Sequence, residues 1–119
     1  MNLAEVVGFD FDPGDGLTAY ARLGGDLDIV SVQAIGDELI GYAAAGSLVV
    51  DITDVDFLDS SGLKLLVDCA KTVRSRGGHF AVVCPESSVA LNVLEITGLL
   101  KVLSVRPSRD VDGATARPM

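Results

Sequence analysis

The sequence predicts an α/β domain on a mixed β-sheet, with an N-terminal hairpin followed by alternating helices and strands and with the helices packed on the core face. Three observations indicate this fold class. Apolar and polar residues alternate on both sides of a turn-forming segment near the amino terminus, which is typical of a β-hairpin. Short apolar runs then alternate with segments of helical periodicity, which implies right-handed parallel crossovers. Only 5% of the residues are aromatic while 49% are hydrophobic, so the core is expected to be aliphatic.

The first 46 residues predict the hairpin and one helix. The hairpin strands are expected at residues 3–11 and 17–23, joined by the turn-forming run Asp12-Pro13-Gly14-Asp15-Gly16. After Gly24-Gly25, Ser31 is a candidate N-cap for a helix that Gly46 ends. The buried stripe of this helix is expected on Val32, Ile35, Leu39 and Tyr42.

A buried strand and an amphipathic helix follow. The nearly continuous apolar run Leu48–Ile52 predicts the central strand, covered on both faces. From Leu63 onward, apolar residues at helical spacing lie opposite charged ones, and Gly77-Gly78 ends this second helix. Its apolar face comprises Leu63, Leu66, Val67, Ala70 and Val73.

The last third of the chain predicts two further strands around one helix. A strand is expected at Phe80–Cys84, then a helix capped by Ser87 or Ser88 and ended by Gly98, then a strand at residues 99–105. Residues 106–119 have few apolar side chains and are expected to form a weakly structured tail, or one short helix at 108–116. Residues 1–119 are therefore interpreted as a single domain with a core at about 3–105.

Charge and cysteine content restrict the class of partner and the compartment. The chain carries 9 Lys and Arg against 17 Asp and Glu, a net charge of -8, which opposes binding to nucleic acid and to anionic lipid. A protein with a basic or mixed face is favoured. The start resembles no signal peptide and no segment reaches the roughly 20 apolar residues of a membrane helix, so a cytoplasmic location is expected. Cys69 and Cys84 are interpreted as reduced core residues.

The sequence offers little support for enzymatic chemistry. Ser60 and Ser61 do not lie in a Gly-x-Ser-x-Gly motif, and His79 is the one histidine that could act as a base. One histidine and two separated cysteines make no convincing zinc site. Phosphate-binding and dinucleotide-binding glycine motifs are absent as well. We therefore expect no catalytic residue, no metal and no cofactor.

One alternative of a different class is a phospho-aspartate receiver domain. In that interpretation the strand Leu48-Val49-Val50-Asp51 ends near a phosphate-accepting Asp51, with Asp10 and Asp12 as magnesium ligands. A receiver opens with a strand and a helix, however, whereas this chain predicts a hairpin. A polar residue near a strand end is the simpler interpretation of Asp51.

The most informative stretch is Asp59-Ser60-Ser61-Gly62, where acids lead into a helix start. Ser60 or Ser61 can cap that helix, which would need no further function. Two serines and a glycine exceed what capping requires. Gly62 would let another protein's backbone approach closely, and free amides at the helix start would accommodate a phosphoryl group on Ser60. Nearby carboxylates would repel the added charge, which suits a switch that releases a docked partner.

These residues strongly resemble the anti-sigma factor antagonists, which are single STAS domains. Three segments carry the resemblance, namely Leu23–Asp28, Val50–Ile52 and Phe57–Leu63. The glycines at 77–78 and 98 fit as well, so the resemblance covers residues 17 to 105. The Asp-Ser-Ser-Gly motif is specific in this context.

The resemblance implies a partner-switching role. The serine after the aspartate, here Ser60 rather than its neighbour Ser61, would be phosphorylated by an anti-sigma factor that is itself a serine kinase. The unphosphorylated protein would bind that kinase and free the sigma factor, phosphorylation would release it, and a serine phosphatase would reset the cycle. Asp26 and Asp28 would lie beside Ser60 and, with Asp59, help form the docking surface.

The resemblance also leaves other binding modules open. Asp26 stands where glutamate is frequent in the family, Gly25 follows Gly24, and the tail looks too weak for a full final helix. STAS domains occur in stress-signalling assemblies and lipid-transport complexes too, and these are the alternatives within the family.

Overall fold

The computed structural model describes residues 3–11 and 18–107. The predicted turn at residues 12–16, Leu17 and the predicted tail helix at 108–116 lie outside them. The described residues form five strands and three helices. In chain order these are β1 Glu5–Phe11, β2 Ala19–Leu27, α1 Ile29–Ala45, β3 Leu48–Leu58, α2 Ser60–Ser75, β4 Phe80–Val83, α3 Val89–Ile96 and β5 Val105–Arg106.

The strands form one mixed sheet in the order β1-β2-β3-β4-β5. β1 and β2 pair antiparallel, as the predicted hairpin requires, and each later pair is parallel. Parallel neighbours need a crossover, and α1, α2 and α3 supply the three crossovers. The predicted fold class, and β3 as the central strand, are confirmed.

The main core lies between the sheet and the helices. Alternate residues of the central strand, Leu48, Val50 and Ile52, point into it because side chains in a strand alternate between faces. Val49 points to the other face, where it packs in a small separate cluster with Ala81 and Val83. The predicted burial on both faces is therefore confirmed for this part of β3.

Two strands run further than predicted. β2 continues through Gly24-Gly25 to Leu27, and β3 continues through the acidic stretch to Leu58, with register shifts where extra residues bulge from β3. The sequence pattern missed this extension because backbone pairing tolerates polar side chains. Gly25 has a φ of +100°, and a Cβ there would lie 2.6 Å from the Leu3 carbonyl oxygen, so the extension requires a glycine.

The start of α1 corrects a second prediction. Asp28 is its N-cap, accepting a hydrogen bond from the Ser31 N–H at 3.0 Å, so the assignment of Ser31 as the cap is wrong. Ser31 is instead fully buried inside the first turn. Its hydroxyl accepts from the Ala4 N–H at 2.7 Å and donates to the Asp26 carbonyl at 2.5 Å, which joins the N-terminal segment to the end of β2.

The final strand is much shorter than predicted. Residues 99–104 form turns instead, with the Leu103 N–H bonded to the Leu99 carbonyl and the Val105 N–H to that of Leu100. Leu103 is completely buried, so these turns place its side chain in the main core. The predicted cap Ser88 and the helix end at Gly98, with φ +73°, are confirmed.

Both cysteines are free and buried, as predicted. Burial raises the pKa of the Cys69 thiol to about 12, and Asp68 adds to the effect. Burial also raises the pKa of Cys84. Within the described part of the chain, no helix is both long enough and apolar enough to cross a membrane.

Candidate functional site

Ser60 is the first residue of α2 and lies on the surface. The cap of this helix is Asp59, whose carboxylate accepts hydrogen bonds from the N–H groups of Ser61 at 2.9 Å and Gly62 at 3.1 Å. The prediction that Ser60 or Ser61 caps the helix is therefore wrong. Aspartate is as good an N-cap as serine, and with Asp59 in that role no described residue hydrogen-bonds to the Ser60 hydroxyl.

The two serines differ in accessibility. Ser61 is half-buried and its N–H is bonded to Asp59, whereas Ser60 is exposed. A kinase must bring the hydroxyl oxygen into line with the phosphate that it transfers. The geometry therefore supplies a physical reason to favour Ser60, which the sequence pattern by itself did not.

Gly62 faces inward. A Cβ at this position would lie 2.5 Å from the Leu27 carbonyl oxygen, 2.8 Å from the Leu27 Cγ and 2.9 Å from the Leu58 Cδ1. The interpretation of Gly62 as a site of close approach for another protein is wrong, because the backbone that it admits is the chain's own β2. Gly62 contributes to the site because it lets the start of α2 pack closely against the ends of β2 and β3.

The start of α2 also offers fewer amides than expected. Because the Asp59 carboxylate already accepts from the amides of Ser61 and Gly62, these donors are not free for a phosphoryl group on Ser60. The added charge would instead lie beside the Asp59 carboxylate. The local repulsion is therefore less well compensated than a free helix start would allow.

The predicted acids gather at one end of the sheet, where β2 and β3 finish and where α1 and α2 begin. We call this the Ser60 end. Asp28 and Asp59 cap the two helices there, and the Asp59 N–H donates to the Leu27 carbonyl at 3.3 Å, which ties the two helix starts together. Asp26 directly precedes Leu27 in β2 and pairs with Phe57 of β3. All three predicted aspartates are thus brought to the same end as Ser60.

Sequence reasoning missed the apolar residues of this end. Leu27 and Leu58 point into the core, so their neighbours along each strand must face outward. By this rule Phe57 lies on the surface. Its exposure could have been inferred from the sequence if the stretch before Asp59 had been recognised as a strand. The exposed large apolar residues of the Ser60 end are Leu3, Ile29, Val30 and Phe57.

The geometry removes the basis of the receiver alternative. β3 continues past Asp51 to Leu58, so Asp51 lies in the middle of its strand and not at the carboxyl end. Its carboxylate accepts hydrogen bonds from the Thr53 N–H at 2.9 Å and the Thr53 hydroxyl at 2.5 Å. Asp10 lies in β1 opposite Tyr20, and Asp12 is outside the described residues. No three His, Cys, Asp or Glu residues among those described are placed to hold a metal ion.

His79 lies at the opposite end of the molecule from Ser60. It immediately precedes β4, and its backbone N–H donates to the Ser47 hydroxyl at 2.9 Å. The 16 residues of α2 separate this end from Ser60, a length of about 24 Å at 1.5 Å per residue. His79 therefore cannot act as a base for Ser60.

Replacing the Asp59 cap tests its structural role. Asp59→Ala is expected to lower the free energy of unfolding by about 1 kcal/mol, because two amides lose their acceptor, whereas Asp59→Asn keeps an acceptor oxygen and should cost only a few tenths. Urea denaturation of both variants measures the difference. If the asparagine variant were as unstable as the alanine variant, the carboxylate charge, and not the cap hydrogen bonds, would be what stabilises the helix start.

Known proteins resemble this chain in both sequence and fold. A sequence model described as the STAS domain matches residues 14–113. The anti-sigma F factor antagonist of Paenibacillus polymyxa is 30% identical over 71% of this chain and 74% of its own length. A crystal structure of an anti-sigma factor antagonist from Mycobacterium paratuberculosis has a TM-score of 0.74 and 27% identity, covering 95% of this chain and 92% of that one.

A more distant structure agrees in fold. The anti-sigma factor antagonist SpoIIAA in its unphosphorylated form has a TM-score of 0.68 at 20% identity, over 94% of this chain and all of the other. The five-stranded mixed sheet with three crossover helices is therefore an arrangement that solved antagonists share.

Proposed function

The chain belongs to the STAS domain family, and from that membership we propose that it is an anti-sigma factor antagonist whose docking is switched off by phosphorylation of Ser60. The unphosphorylated protein binds an anti-sigma factor with serine kinase activity and thereby frees a sigma factor. Phosphorylation by that kinase releases the antagonist, and a serine phosphatase restores it. The relatives from Paenibacillus polymyxa and Bacillus subtilis are named as antagonists of anti-sigma F and anti-sigma-B factors.

The observation that carries this proposal is the exposed Ser60 hydroxyl, presented by a helix start that another residue caps. Because Asp59 holds the amides of Ser61 and Gly62, Ser60 can be modified without the loss of a capping interaction. Its position at the very start of α2 also places it beside the ends of β2 and β3, where a partner can reach it. Ser60 thus combines accessibility with a rigid support.

Charge sets the direction of the switch. A phosphoryl group adds nearly two negative charges next to Asp59 and near Asp26 and Asp28, at the end of a protein whose net charge is already -8. A docked partner has to remove water from this crowded charge and to accommodate the added bulk, and that cost exceeds what a basic side chain of the partner regains. Phosphorylation therefore weakens docking.

The catalytic groups for this reaction belong to the partner. The Ser60 hydroxyl oxygen attacks the terminal phosphorus of ATP, ADP leaves, and the hydroxyl proton passes to a base. Within the described residues the one histidine, His79, is at the far end of α2. In this scheme the chain is the substrate, and the kinase supplies the base, the magnesium and the nucleotide.

Phosphate mapping tests the proposal. The protein is incubated with MgATP and the anti-sigma factor kinase of its own organism, and the phosphorylated residue is located by mass spectrometry. We expect one phosphate per chain on Ser60, none in Ser60→Ala, and unchanged labelling in the matched variant Ser61→Ala. Equal labelling of the Ser60→Ala protein would sink the assignment, and loss in Ser61→Ala alone would transfer it to Ser61.

A second reagent separates the receiver alternative. Acetyl phosphate labels receiver aspartates, so a receiver would gain an acyl phosphate on Asp51 that is lost in Asp51→Asn. We expect no labelling by acetyl phosphate, because Asp51 lies in mid-strand and is bonded to Thr53.

A further inference from the structure

Four large apolar side chains are exposed at the Ser60 end. The exposed fractions are 45% for Leu3, 58% for Ile29, 44% for Val30 and 51% for Phe57. Single exposed apolar residues are ordinary on protein surfaces, but groups of them mark interaction sites. These four come from three separate segments of the chain, so neighbourhood in sequence does not explain why they share one end. We call them the apolar rim.

Backbone pairing brings two residues of the rim, Ile29 and Phe57, near Ser60. The hydrogen bond from the Asp59 N–H to the Leu27 carbonyl makes these two residues neighbours. Ile29 lies two residues beyond Leu27 and Phe57 lies two residues before Asp59, so each is within about 8 Å of that contact along its own chain. Ser60 follows Asp59 directly. Ile29 and Phe57 therefore both lie near the start of α2.

The N-terminal segment adds the remaining part of the rim. Leu3 forms a parallel bridge with Asp26, and Asp26 in turn pairs with Phe57, so the three residues form a row across adjacent segments. The buried Ser31 hydroxyl holds this row in place through Ala4 and Asp26. An acid thus lies between two exposed apolar side chains.

We propose that the anti-sigma factor binds to the apolar rim, mainly through contacts with Phe57 and Ile29. The surface of the anti-sigma factor that docks there is an apolar cleft bordered by lysine or arginine side chains. This inference rests on the proposed function and names the chemistry of the surface that docks there. The acids of the Ser60 end favour a basic border by charge complementarity. Exposed ion pairs contribute little to affinity, whereas buried aromatic and aliphatic anchors usually dominate it.

The arrangement also explains how one phosphate releases the partner. Apolar contacts require that water leave the interface, and a phosphoryl group on Ser60 keeps its hydration beside both anchors. Ser60 directly follows Asp59, which contacts Leu27, and so it lies near both Ile29 and Phe57 along the backbone; the phosphate therefore interrupts the dry part of the contact. The acids set which partner docks, and the rim sets how tightly.

Alanine substitution in the rim tests the inference by calorimetric titration into the anti-sigma factor of the same organism. Phe57→Ala is expected to weaken binding about thirtyfold, which corresponds to about 2 kcal/mol, and Ile29→Ala about tenfold. Two matched controls are available. Ile96→Ala removes a side chain that is 85% exposed on α3, and Asp56→Asn removes an exposed charge next to Phe57. Each control should change the affinity less than threefold.

The outcomes separate the two proposals. Wild-type protein that binds no anti-sigma factor overturns the proposed function, and the rim proposal falls with it. Wild-type binding with an unchanged Phe57→Ala affinity overturns the rim proposal alone, as does a loss in Asp56→Asn as large as that in Phe57→Ala. Thermal unfolding of each variant checks the fold, and Ser60 labelling by the kinase remains an independent test of the function.

Discussion

Ser60→Asp is expected to weaken binding to the anti-sigma factor about a hundredfold, whereas Ser60→Ala should bind within threefold of the wild-type protein. The alanine variant loses only a hydroxyl that no described residue hydrogen-bonds. The aspartate variant adds a carboxylate next to Asp59, at an end of the molecule that already carries Asp26 and Asp28. Its effect therefore reports charge in the contact and not damage to the helix start.

The expected magnitude follows from simple electrostatics. Two like charges about 6 Å apart repel by roughly 1 to 3 kcal/mol at the effective dielectric constants of a protein surface. This repulsion is present in the free protein as well, so only its increase when a partner excludes water, together with the cost of desolvating the new carboxylate, weakens binding. An increase of about 3 kcal/mol corresponds to a hundredfold change in the dissociation constant. A phosphoryl group carries nearly twice the charge of aspartate, so the phosphorylated protein should bind more weakly still.

Calorimetric titration of the three proteins measures this difference, and Ser75→Asp is the matched control. Ser75 is exposed at the other end of the same helix, so this variant has the same net charge as Ser60→Asp but adds it about 22 Å away. We expect Ser75→Asp to bind like the wild-type protein. Equal weakening by both aspartate variants would mean that total charge, and not the position of Ser60, controls docking.

Gly62→Ala is expected to lower the free energy of unfolding by about 3 kcal/mol, at the upper end of the usual cost of overpacking. The new Cβ would meet the Leu27 carbonyl oxygen at 2.5 Å and the Leu27 and Leu58 side chains at 2.8 and 2.9 Å. These contacts belong to β2 and β3, two strands that pair with each other within the sheet. A small shift of one flexible side chain therefore does not relieve the clash.

Urea denaturation of Gly62→Ala beside Gly41→Ala measures this cost. Gly41 is also a helical glycine, but it is exposed and a Cβ there meets no atom within 4 Å. Gly41→Ala should therefore stabilise the protein by about 0.5 to 1 kcal/mol, because alanine is the better helix former. A Gly62→Ala protein as stable as the wild type would show that the start of α2 does not pack against β2 as described.

The sequence was most informative where one physical effect dominates. Alternating apolar residues predicted the hairpin, and the apolar run at Leu48–Ile52 predicted the central strand, because burial is the main determinant of both patterns. The helix ends at Gly46 and Gly98 followed from the preference for glycine after a helix. In each of these cases the local conformational preference of the residues and their burial in the core favour the same structure.

The predictions were wrong where neighbouring residues had equal local preferences for one structural role and tertiary contacts determined which of them took it. Aspartate and serine are comparable N-caps, so the sequence could not show that Asp28 and Asp59 would cap α1 and α2 in place of the serines that follow them. Most of the last predicted strand formed turns that place Leu103 in the core, and the packing of that core depends on segments distant in sequence. The reason for Gly62 was misread because its neighbour is β2, distant in sequence.

By itself, the sequence determined the α/β fold class, the Asp-Ser-Ser-Gly motif at the start of α2 and the acidic character of the chain, since these depend on composition and local pattern. Only the tertiary structure decided that Asp59 is the cap, that Ser60 is the exposed hydroxyl and that an apolar rim lies at the same end of the sheet. The physical reason is that capping, exposure and clustering depend on which distant segments meet. Here β2 and β3 extend to Leu27 and Leu58, and this extension brings the starts of α1 and α2 together.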